Sequence, residues 1–163
     1  MVEHGAVLHI DGLEVAVRDA VQGDLPALLA MLADDPLGAS RDPGFDADLE
    51  PYLAAFAAID RDPAHRLLVC ESAGQVVAML QLSFIPGLSR RGAWRAQIEA
   101  VRTHADFRGR GLGQGFIQWA IGHARDRGCS LVQLTTDKSR SDAHRFYERL
   151  GFEASHEGMK LVF

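Results

Sequence analysis

Glycines alternate with other residues in one stretch, 107–115, that also carries two arginines. The glycines are Gly109, Gly111, Gly113 and Gly115, and the arginines are Arg108 and Arg110. A backbone without Cβ atoms lets several N–H groups surround one anion, and the N-terminus of a helix predicted from about Leu112 adds further N–H donors. Guanidinium groups also bind phosphate well. The stretch therefore predicts a site for a phosphate-bearing ligand, with a purely structural tight turn as the alternative.

Two familiar nucleotide-binding motifs do not fit this stretch. A Walker A loop ends in Gly-Lys-Ser/Thr, and no lysine follows the glycines here. A dinucleotide-binding fingerprint that began at position 109 or 111 would need glycine or alanine where the sequence has Gln114 and Phe116. The predicted phosphate site is therefore neither a Walker A loop nor a dinucleotide-binding fingerprint.

The two halves of the chain carry opposite net charge. Residues 1–81 contain 4 basic and 14 acidic side chains, whereas residues 82–163 contain 13 basic and 8 acidic ones. This asymmetry indicates an anionic partner near the second half and a cationic group near the first. The sequence lacks a dense stripe of lysine and arginine interleaved with aromatic residues, which argues against nucleic acid as a partner. A functionless, uneven distribution of surface charge is the alternative.

Length and composition predict one globular domain. The chain has 163 residues, of which 47% are hydrophobic and 24% charged, enough for a core that needs no disulfide or metal. No apolar run approaches the length of a membrane span, and the first residues lack the pattern of a secretory signal. Only Cys70 and Cys129 are present, and the seven histidines show no metal-ligand spacing. We therefore expect a cytoplasmic protein without metal or membrane association, formed as one domain, 1–163, with 1–12 as an N-terminal extension.

The elements that must position the glycine stretch follow from periodicity and turn signals. Strands are predicted over 13–18, 66–71, 75–85, 94–103, 131–135 and 159–163. Helices are predicted after an Asp24 cap, over 46–59, from about 112 to 127 before Gly128, and over 141–150 before Gly151. The glycine stretch thus lies between a strand and a long helix, within an α/β domain.

Three stretches match one known family in the right order. Arg108-x-x-Gly111-x-Gly113, after a strand and opening a helix, resembles the acyl-CoA signature of the GNAT superfamily of N-acetyltransferases. The other two matches are Arg18-x-Ala20-x-x-x-Asp24, which resembles the first strand and helix of the family, and Ala143-x-x-Phe146-Tyr147-x-x-Leu150-Gly151-Phe152, which resembles its last helix and the following turn. The resemblance covers residues 13–163. The sequence departs from many relatives at Ala105, where they have proline, and near Arg140, where they have asparagine.

The resemblance implies a fold and an activity. The fold is an α+β arrangement with a mixed, mostly antiparallel twisted sheet of six to seven strands, splayed parallel central strands and about four flanking helices. The implied activity is transfer of an acetyl group from acetyl-CoA to a primary amine of a small molecule or peptide, by direct attack in a ternary complex and without a metal. Residues implied to hold coenzyme A are Val101, Arg102, Thr103, Arg108, Gly109, Arg110, Gly111, Leu112, Gly113, Gln114, Arg140 and Phe146. The main chain of Val101 and Thr103 would bind the pantetheine arm.

Two residues are candidates for the proton transfers of that reaction. A primary amine with a pKa near ~10 must lose a proton before it attacks, and the departing thiolate must gain one. Alternation along strand 94–103 places Glu99 on a polar face with Val101 and Thr103, so Glu99 is the candidate base, acting through a water. Asp106 and His104 are the other candidate bases, and an exposed carboxylate without a role is the alternative for Glu99.

Tyr147 is the candidate acid for the thiolate, and only the resemblance assigns it that role. Periodicity alone makes Tyr147 a core residue, because it belongs to an apolar stripe at helical spacing. Cys70 and Cys129 are both expected to be buried, inert thiols.

The acceptor and the function class stay open at this point. Asp34, Asp35 and Asp42 favour a cationic amine, whereas Arg90 and Arg91 could hold a carboxylate of an amino acid or peptide. The chain could also be a catalytically silent acyl-CoA-binding sensor module of the same fold, or a nucleotide-binding protein of another kind. Relatives are often dimers, so a homodimer is a further possibility.

Overall fold

A six-stranded sheet organises the computed structural model, which describes residues 5–42 and 48–163. Its strands are β1 (Val7–Ile10), β2 (Leu13–Asp19), β3 (His65–Ser72), β4 (Gln75–Ile85), β5 (Trp94–Thr103) and β6 (Cys129–Leu134). The strands follow one another across the sheet in chain order. Every neighbouring pair is antiparallel except β5 and β6, which are parallel. The predicted mixed, mostly antiparallel sheet is therefore confirmed.

Helices cover both faces of this sheet. They are α1 (Leu25–Ala33), α2 (Glu50–Arg61), the four-residue turn α3 (Ser89–Gly92), α4 (Leu112–Asp126) and α5 (Ser141–Arg149). Alternation along the strands creates two separate apolar clusters, one on each face. In β3, Leu68 and Cys70 join the cluster under α4, whereas Val69 joins the cluster under α1. The core is thus divided by the sheet, with α4 on one side and α1 and α2 on the other.

The structure corrects two of the predicted sheet elements. Residues 7–10, expected within an N-terminal extension, form β1 and pair with β2 through a turn in which Asp11 and Gly12 have φ angles of 49° and 74°. An Asp-Gly pair is a strong hairpin signal, but the apolar run before this one is short, so the strand pattern at 7–10 is weak. Residues 159–163, expected to form a strand, belong to no strand of the described sheet.

The boundaries of the remaining elements are close to the predicted ones. Helix α2 begins at Glu50, whereas the prediction began at Asp46, which lies outside the described residues. Gly128 and Gly151 follow α4 and α5 with φ angles of 85° and 91°, so both helices end in the left-handed conformation that glycine allows.

Asp24 precedes α1 as predicted, but its side chain does not cap that helix. It accepts a hydrogen bond from the Val21 N–H and two from the guanidinium of Arg18, at 2.7 and 3.0 Å. Glu71 of β3 binds the same guanidinium at 2.7 Å. Burial alone would raise the pKa of Asp24, but the bonds from Arg18 and Val21 hold it below its ordinary value. This ion pair ties β2, β3 and the start of α1 together.

Candidate active site

The parallel pairing of β5 with β6 covers only the first half of β5. It runs from Trp94 opposite Cys129 to Ile98 opposite Leu134, where β6 ends. The other edge of β5 stays paired with β4 as far as Thr103. Residues 99–103 of β5 therefore have an edge without a strand partner among the described residues, and the space along this edge is named here the groove.

A β-bulge in β5 lies where this groove begins. Between the pairs Glu99–Gln81 and Arg102–Met79, two residues of β5 lie opposite the single residue Leu80. Ala100 has a φ of 53° there. The bulge shifts the alternation predicted for this strand. Ala100 packs against the cluster under α1, and Val101 packs against the cluster under α4.

The glycine turn meets this groove at the N-terminus of α4. Gly109 and Gly111 have φ angles of 75° and 79°, a conformation that strongly favours glycine. The bond from Gly115 N–H to Gly111 C=O, 3.0 Å long, is the first of α4. The N–H groups of residues 112–114 precede it and have no partner within the helix. Several backbone donors therefore face outward beside the end of β5, as a phosphate cradle requires.

Both arginines of the turn are engaged by carboxylates. Arg108 Nη2 lies 2.7 Å from Asp34 Oδ2, and its Nε donates to the Thr103 carbonyl at 3.1 Å. Arg110 Nε donates to Asp11 at 2.8 Å, on the β1–β2 hairpin. Both guanidiniums are partly exposed, so solvent screens these pairs and each contributes little to stability.

A second ion-pair cluster joins the loop after α1 to β5 and to Arg140, the residue before α5. Asp35 accepts a hydrogen bond from Arg140 Nη2 at 2.5 Å and from the Gly38 N–H at 2.8 Å. Arg102 Nη2 of β5 lies 3.6 Å from the same carboxylate. Burial would raise the pKa of Asp35, but the bond from Arg140 and the charge of Arg102 keep it below its ordinary value. The sequence held no signal for this cluster, because its members are far apart in the chain.

Arg102 has an unusual environment for a guanidinium. Its Nη1 donates to the neighbouring Val101 carbonyl at 2.8 Å, and within the described residues its buried Nε–H has no hydrogen-bond partner. Burial lowers the pKa of Arg102, although the charge of Asp35 opposes that effect. A buried donor without a partner costs free energy, so this guanidinium is well suited to receive an anion.

These residues surround a pocket of about 300 Å³. The lining residues are Asp34, Asp35, Pro36, Val101, Arg102, Thr103, Arg108 and Arg140. The described lining contains three guanidiniums and two carboxylates, so its net charge is positive. The structure thus brings five of the residues predicted to hold coenzyme A to one pocket, beside the glycine turn.

Phe146 of α5 lies near the same turn, and Tyr147 packs against Phe146. A Cβ placed on Gly113 would lie 3.6 Å from Thr103 Oγ1 and 3.8 Å from Phe146 Cζ, so these three residues are neighbours. The Tyr147 ring contacts Phe146 and Phe152 edge to face, at centroid distances of 5.1 and 5.8 Å. Burial raises the pKa of Tyr147 despite the opposing charges of Arg102 and Arg140. Its phenol therefore keeps its proton at neutral pH, as a general acid must.

Glu99 lies at the beginning of the groove, opposite Gln81 of β4, and its side chain is exposed. The other candidate bases lie beyond the far end of β5. His104 Nδ1 accepts from the Asp106 N–H at 3.3 Å, and the Asp106 side chain is largely exposed. Glu99 is thus the candidate base nearest the point where the pairing of β5 with β6 ends.

The residues considered for the acceptor are not arranged as the sequence suggested. Asp34 and Asp35 bind arginines, and Asp42 accepts a hydrogen bond from the Tyr52 hydroxyl at 3.0 Å. Arg90 and Arg91 are exposed in α3, before β5 begins, with φ angles of 53° and 62°. These two arginines are not among the residues that line the pocket described above, and their contact with an acceptor stays a prediction.

Other kinds of site find no support in residues 5–42 and 48–163. No group of three or more histidine, cysteine, aspartate or glutamate side chains there could hold a metal ion. No helix in this part of the chain has the length and apolar character needed to cross a membrane. Cys70 is fully buried, which raises the pKa of its thiol to about 12, and Cys129 is partly buried with a raised thiol pKa.

Comparison with known proteins decides the family. The model of the acetyltransferase (GNAT) family matches residues 26–152, which include the groove, the glycine turn and α5. The chain belongs to this family. A curated relative, the aminoalkylphosphonate N-acetyltransferase of Salmonella typhimurium, is 32% identical over 111 residues, covering 68% of this chain and 71% of the relative.

Two solved structures extend the comparison for this GNAT protein. One, from Bacillus halodurans C-125 and described as a transcriptional regulator, is 49% identical with a TM-score of 0.88, and the match covers 91% of this chain and 99% of that one. The other, a putative acetyltransferase from Agrobacterium tumefaciens, is 32% identical with a TM-score of 0.79, covering 90% and 99% of the two chains.

Proposed function

We propose that this GNAT protein transfers an acetyl group from acetyl-CoA to the primary amine of a small molecule. The observation that carries the proposal is that two features adjoin each other: the groove along residues 99–103 of β5, beyond the end of β6, and the outward N–H donors at the start of α4. A pantetheine arm can bind in such a groove as an added strand, and a diphosphate suits the glycine turn. Family membership supports the same choice of donor.

The residues present fit coenzyme A. The predicted diphosphate ligands are the N–H groups of residues 109–114, with Arg108 and Arg110 as charged partners. Both arginines bind carboxylates in this structure, and each carboxylate can be exchanged for a phosphate oxygen at a partly exposed site. Val101 and Thr103 would hold the pantetheine arm through their main chain, and Phe146 and Arg140 would line its path.

Chemistry would occur where the pairing of β5 with β6 ends. The amine nitrogen attacks the thioester carbonyl carbon, the carbon–sulfur bond breaks, and the amine loses one proton. Glu99, with a water between, is proposed to accept that proton, because it lies at the start of the groove with its carboxylate exposed. Tyr147 is proposed to protonate the departing thiolate, since burial keeps the phenol in its acid form.

The acceptor is proposed to carry an anionic group as well as an amine. The aspartates expected to attract a cation all have partners, whereas the buried Nε–H of Arg102 has none among residues 5–42 and 48–163. The Salmonella relative is named for aminoalkylphosphonates, which combine an amine with an anion. Arg102 would bind the acceptor's carboxylate, phosphate or phosphonate from the α1 side of the sheet.

A second candidate is an acyl-CoA-binding module without turnover. The description of the Bacillus halodurans relative as a regulator favours it. The two functions differ in one measurable product, because only an enzyme releases free thiol when acetyl-CoA and an amine are both present.

The testing experiment is a thiol-release screen with matched acceptors. Aminoethylphosphonate is compared with ethanolamine, and glucosamine 6-phosphate with glucosamine. The proposal predicts release with at least one primary amine, and kcat/KM about 10- to 100-fold higher for the anionic member of a pair, the value of one charge-assisted hydrogen bond. Binding of acetyl-CoA without release for any amine would instead support the silent module.

A further inference from the structure

A second pocket lies away from the glycine turn and the groove. It measures about 290 Å³, close to the lower bound of about 300 Å³ for ligand pockets in proteins. Its lining comes from the chain before β1, from β2, from β3 and from the middle of α4. Trp119 of this lining follows Leu112 in α4 by about 10 Å at the rise of a helix. Within the described residues, the two pockets share no lining residue.

Two rings of α4 form one wall of this second pocket. Trp119 and His123 are four residues apart, so they lie on the same face of the helix. Their rings are stacked, with an interplanar angle of 8° and 5.1 Å between centroids, and the Phe84 ring lies 6.0 Å from that of His123. Both Trp119 and His123 are only partly buried. A fixed aromatic surface of this kind favours a flat ligand, because a further ring gains stacking energy there.

A guanidinium lies beside this aromatic wall. Arg66 of β3 donates from Nε and Nη2 to the carboxylate of Asp19, both at 2.9 Å, and its Nη1 lies 2.9 Å from His123 Nε2. The Arg66 side chain is 16% exposed, whereas that of Asp19 is 59% exposed. Arg66 thus already binds a carboxylate with two parallel bonds, and this carboxylate is largely in solvent. The carboxylate of a ligand can therefore compete with Asp19 for the same guanidinium.

The remaining lining is fixed and carries no charge that a ligand would meet. The guanidinium of Arg18 is already bound by two carboxylates. Val17 is buried, and its N–H donates to the Ala6 carbonyl at 2.8 Å. A Cβ on Gly5 would lie 2.2 Å from the Val17 carbonyl oxygen, so the chain passes this close only with glycine there. The charged group available to a ligand in this pocket is therefore Arg66.

We propose that this pocket binds a small aromatic carboxylate. The ring of the ligand would stack beside Trp119 and His123, and its carboxylate would take the Arg66 guanidinium in place of Asp19. A neutral ring would lose the charge-assisted bonds, and a carboxylate without a ring would lose the stacking. The inference is independent of acetyl transfer, because no residue of this pocket has a role in the proposed reaction.

The test uses benzoate as the probe, followed in the nitrogen-15 NMR spectrum of the full chain. The two tryptophans give two indole N–H signals, which Trp94→Phe assigns. Benzoate should shift the Trp119 signal saturably, with a Kd near ~1 mM for so small a ligand. Trp94, 44% exposed at the start of β5, is the internal control and should not shift. A Trp119 signal that moves no more than that of Trp94 at up to ~10 mM benzoate would overturn the inference.

Two further probes separate the ring from the charge. Benzamide keeps the ring but has no charge, and acetate keeps the carboxylate but has no ring. Each should bind at least ~10-fold more weakly than benzoate, the smallest effect expected for a lost charge-assisted hydrogen bond or a lost aromatic contact. Equal affinity for benzoate and benzamide would show that the guanidinium is not used, and equal affinity for benzoate and acetate would show that the rings are not used. Either result overturns the proposed ligand class.

Variants locate the probe in this pocket. Arg66→Gln should weaken benzoate binding at least ~10-fold. Arg102→Gln is the matched control, because Arg102 is 20% exposed and lines the other pocket, and it should leave the Kd unchanged. Equal weakening in both variants would place the probe elsewhere and overturn the inference.

A third variant keeps the guanidinium and does not depend on the folding of Arg66→Gln. Asp19→Asn changes a largely exposed side chain and removes the competing carboxylate. It should lower the Kd for benzoate about 2- to 5-fold, since an exposed ion pair is worth little. An unchanged or higher Kd in Asp19→Asn would contradict the exchange at Arg66.

Discussion

Asp34 holds the guanidinium of Arg108, with 2.7 Å between Asp34 Oδ2 and Arg108 Nη2. This contact joins the loop after α1 to the glycine turn across the mouth of the pocket. The same guanidinium is the proposed partner of the coenzyme A diphosphate. The carboxylate therefore competes with the phosphate for one set of N–H donors.

Removing that competition should strengthen coenzyme A binding. Asp34→Asn is expected to lower the Kd for acetyl-CoA about 2- to 5-fold, because an exposed ion pair is worth less than about 1 kcal/mol. Titration calorimetry measures the change. Asp106→Asn is the control for general loss of negative charge, since Asp106 is exposed beside the same turn and no arginine binds it among the described contacts. An equal gain from both variants, or a gain that persists in an Arg108→Ala background, would contradict direct competition.

Tyr147→Phe should slow turnover while leaving coenzyme A binding unchanged. Without the phenol the thiolate leaves unprotonated, so kcat should fall by about 10²-fold, at the low end of general acid catalysis. The raised pKa of Tyr147 also means that its ionisation lowers the rate only above pH 10, its ordinary value. Tyr52→Phe is the matched control, because Tyr52 is the other tyrosine in the chain and donates to Asp42. Unchanged kcat in Tyr147→Phe would remove the acid role.

Glu99→Gln should cause a loss that depends on pH. At neutral pH the amine is mostly protonated and needs a base, so kcat/KM should fall about 10²- to 10³-fold. The loss should shrink as the pH rises toward the amine pKa near ~10, where the free amine needs no base. Rate profiles for Glu99→Gln, Asp106→Asn and His104→Ala decide among the three candidates. If Asp106→Asn or His104→Ala loses activity while Glu99→Gln stays active, the general base is the residue whose substitution abolishes activity and not Glu99.

The ion pair between Arg18 and Asp24 should stabilise the fold in a pH-dependent way. Because Asp24 is more acidic in the folded state, its contribution is fully present above pH 3.8 and is lost as the pH falls through its lower folded-state pKa. Asp24→Ala should cost about 2–3 kcal/mol at pH 7, by leaving Arg18 and the Val21 N–H without this partner. Urea unfolding measures the cost. A destabilisation of equal size at pH 7 and at pH 2.5 would contradict the electrostatic origin.

Local patterns in the sequence predicted most of the fold. The glycine turn, the start of α4 at Leu112 and the left-handed Gly128 and Gly151 depend on chemistry within a few residues, so they could be inferred. The bulge at Ala100 could not, because it is a mismatch in register with Leu80, and pairing partners are not visible in one strand.

Long-range contacts explain what the sequence did not reveal about the candidate site. Asp35 and Arg140 are 105 positions apart, and only the folded chain brings them together. The charges of the loop aspartates are visible in the sequence but their arginine partners are not, so the sequence alone predicts a surface for cations. The pattern that predicts a strand over 159–163 is present, yet a strand also needs a neighbour, and no strand of the described sheet pairs with these residues.

Calorimetric titration with two ligands tests the central claim most directly. Acetyl-CoA and acetyl-pantetheine share the thioester and the pantetheine arm, but only the first has a diphosphate and nucleotide. If the amides and arginines at the start of α4 hold the diphosphate, acetyl-CoA should bind at least ~100-fold more tightly, and Arg108→Ala should remove ~10-fold or more of that difference. Undetectable binding of acetyl-CoA, or equal affinity for both ligands, would contradict the account.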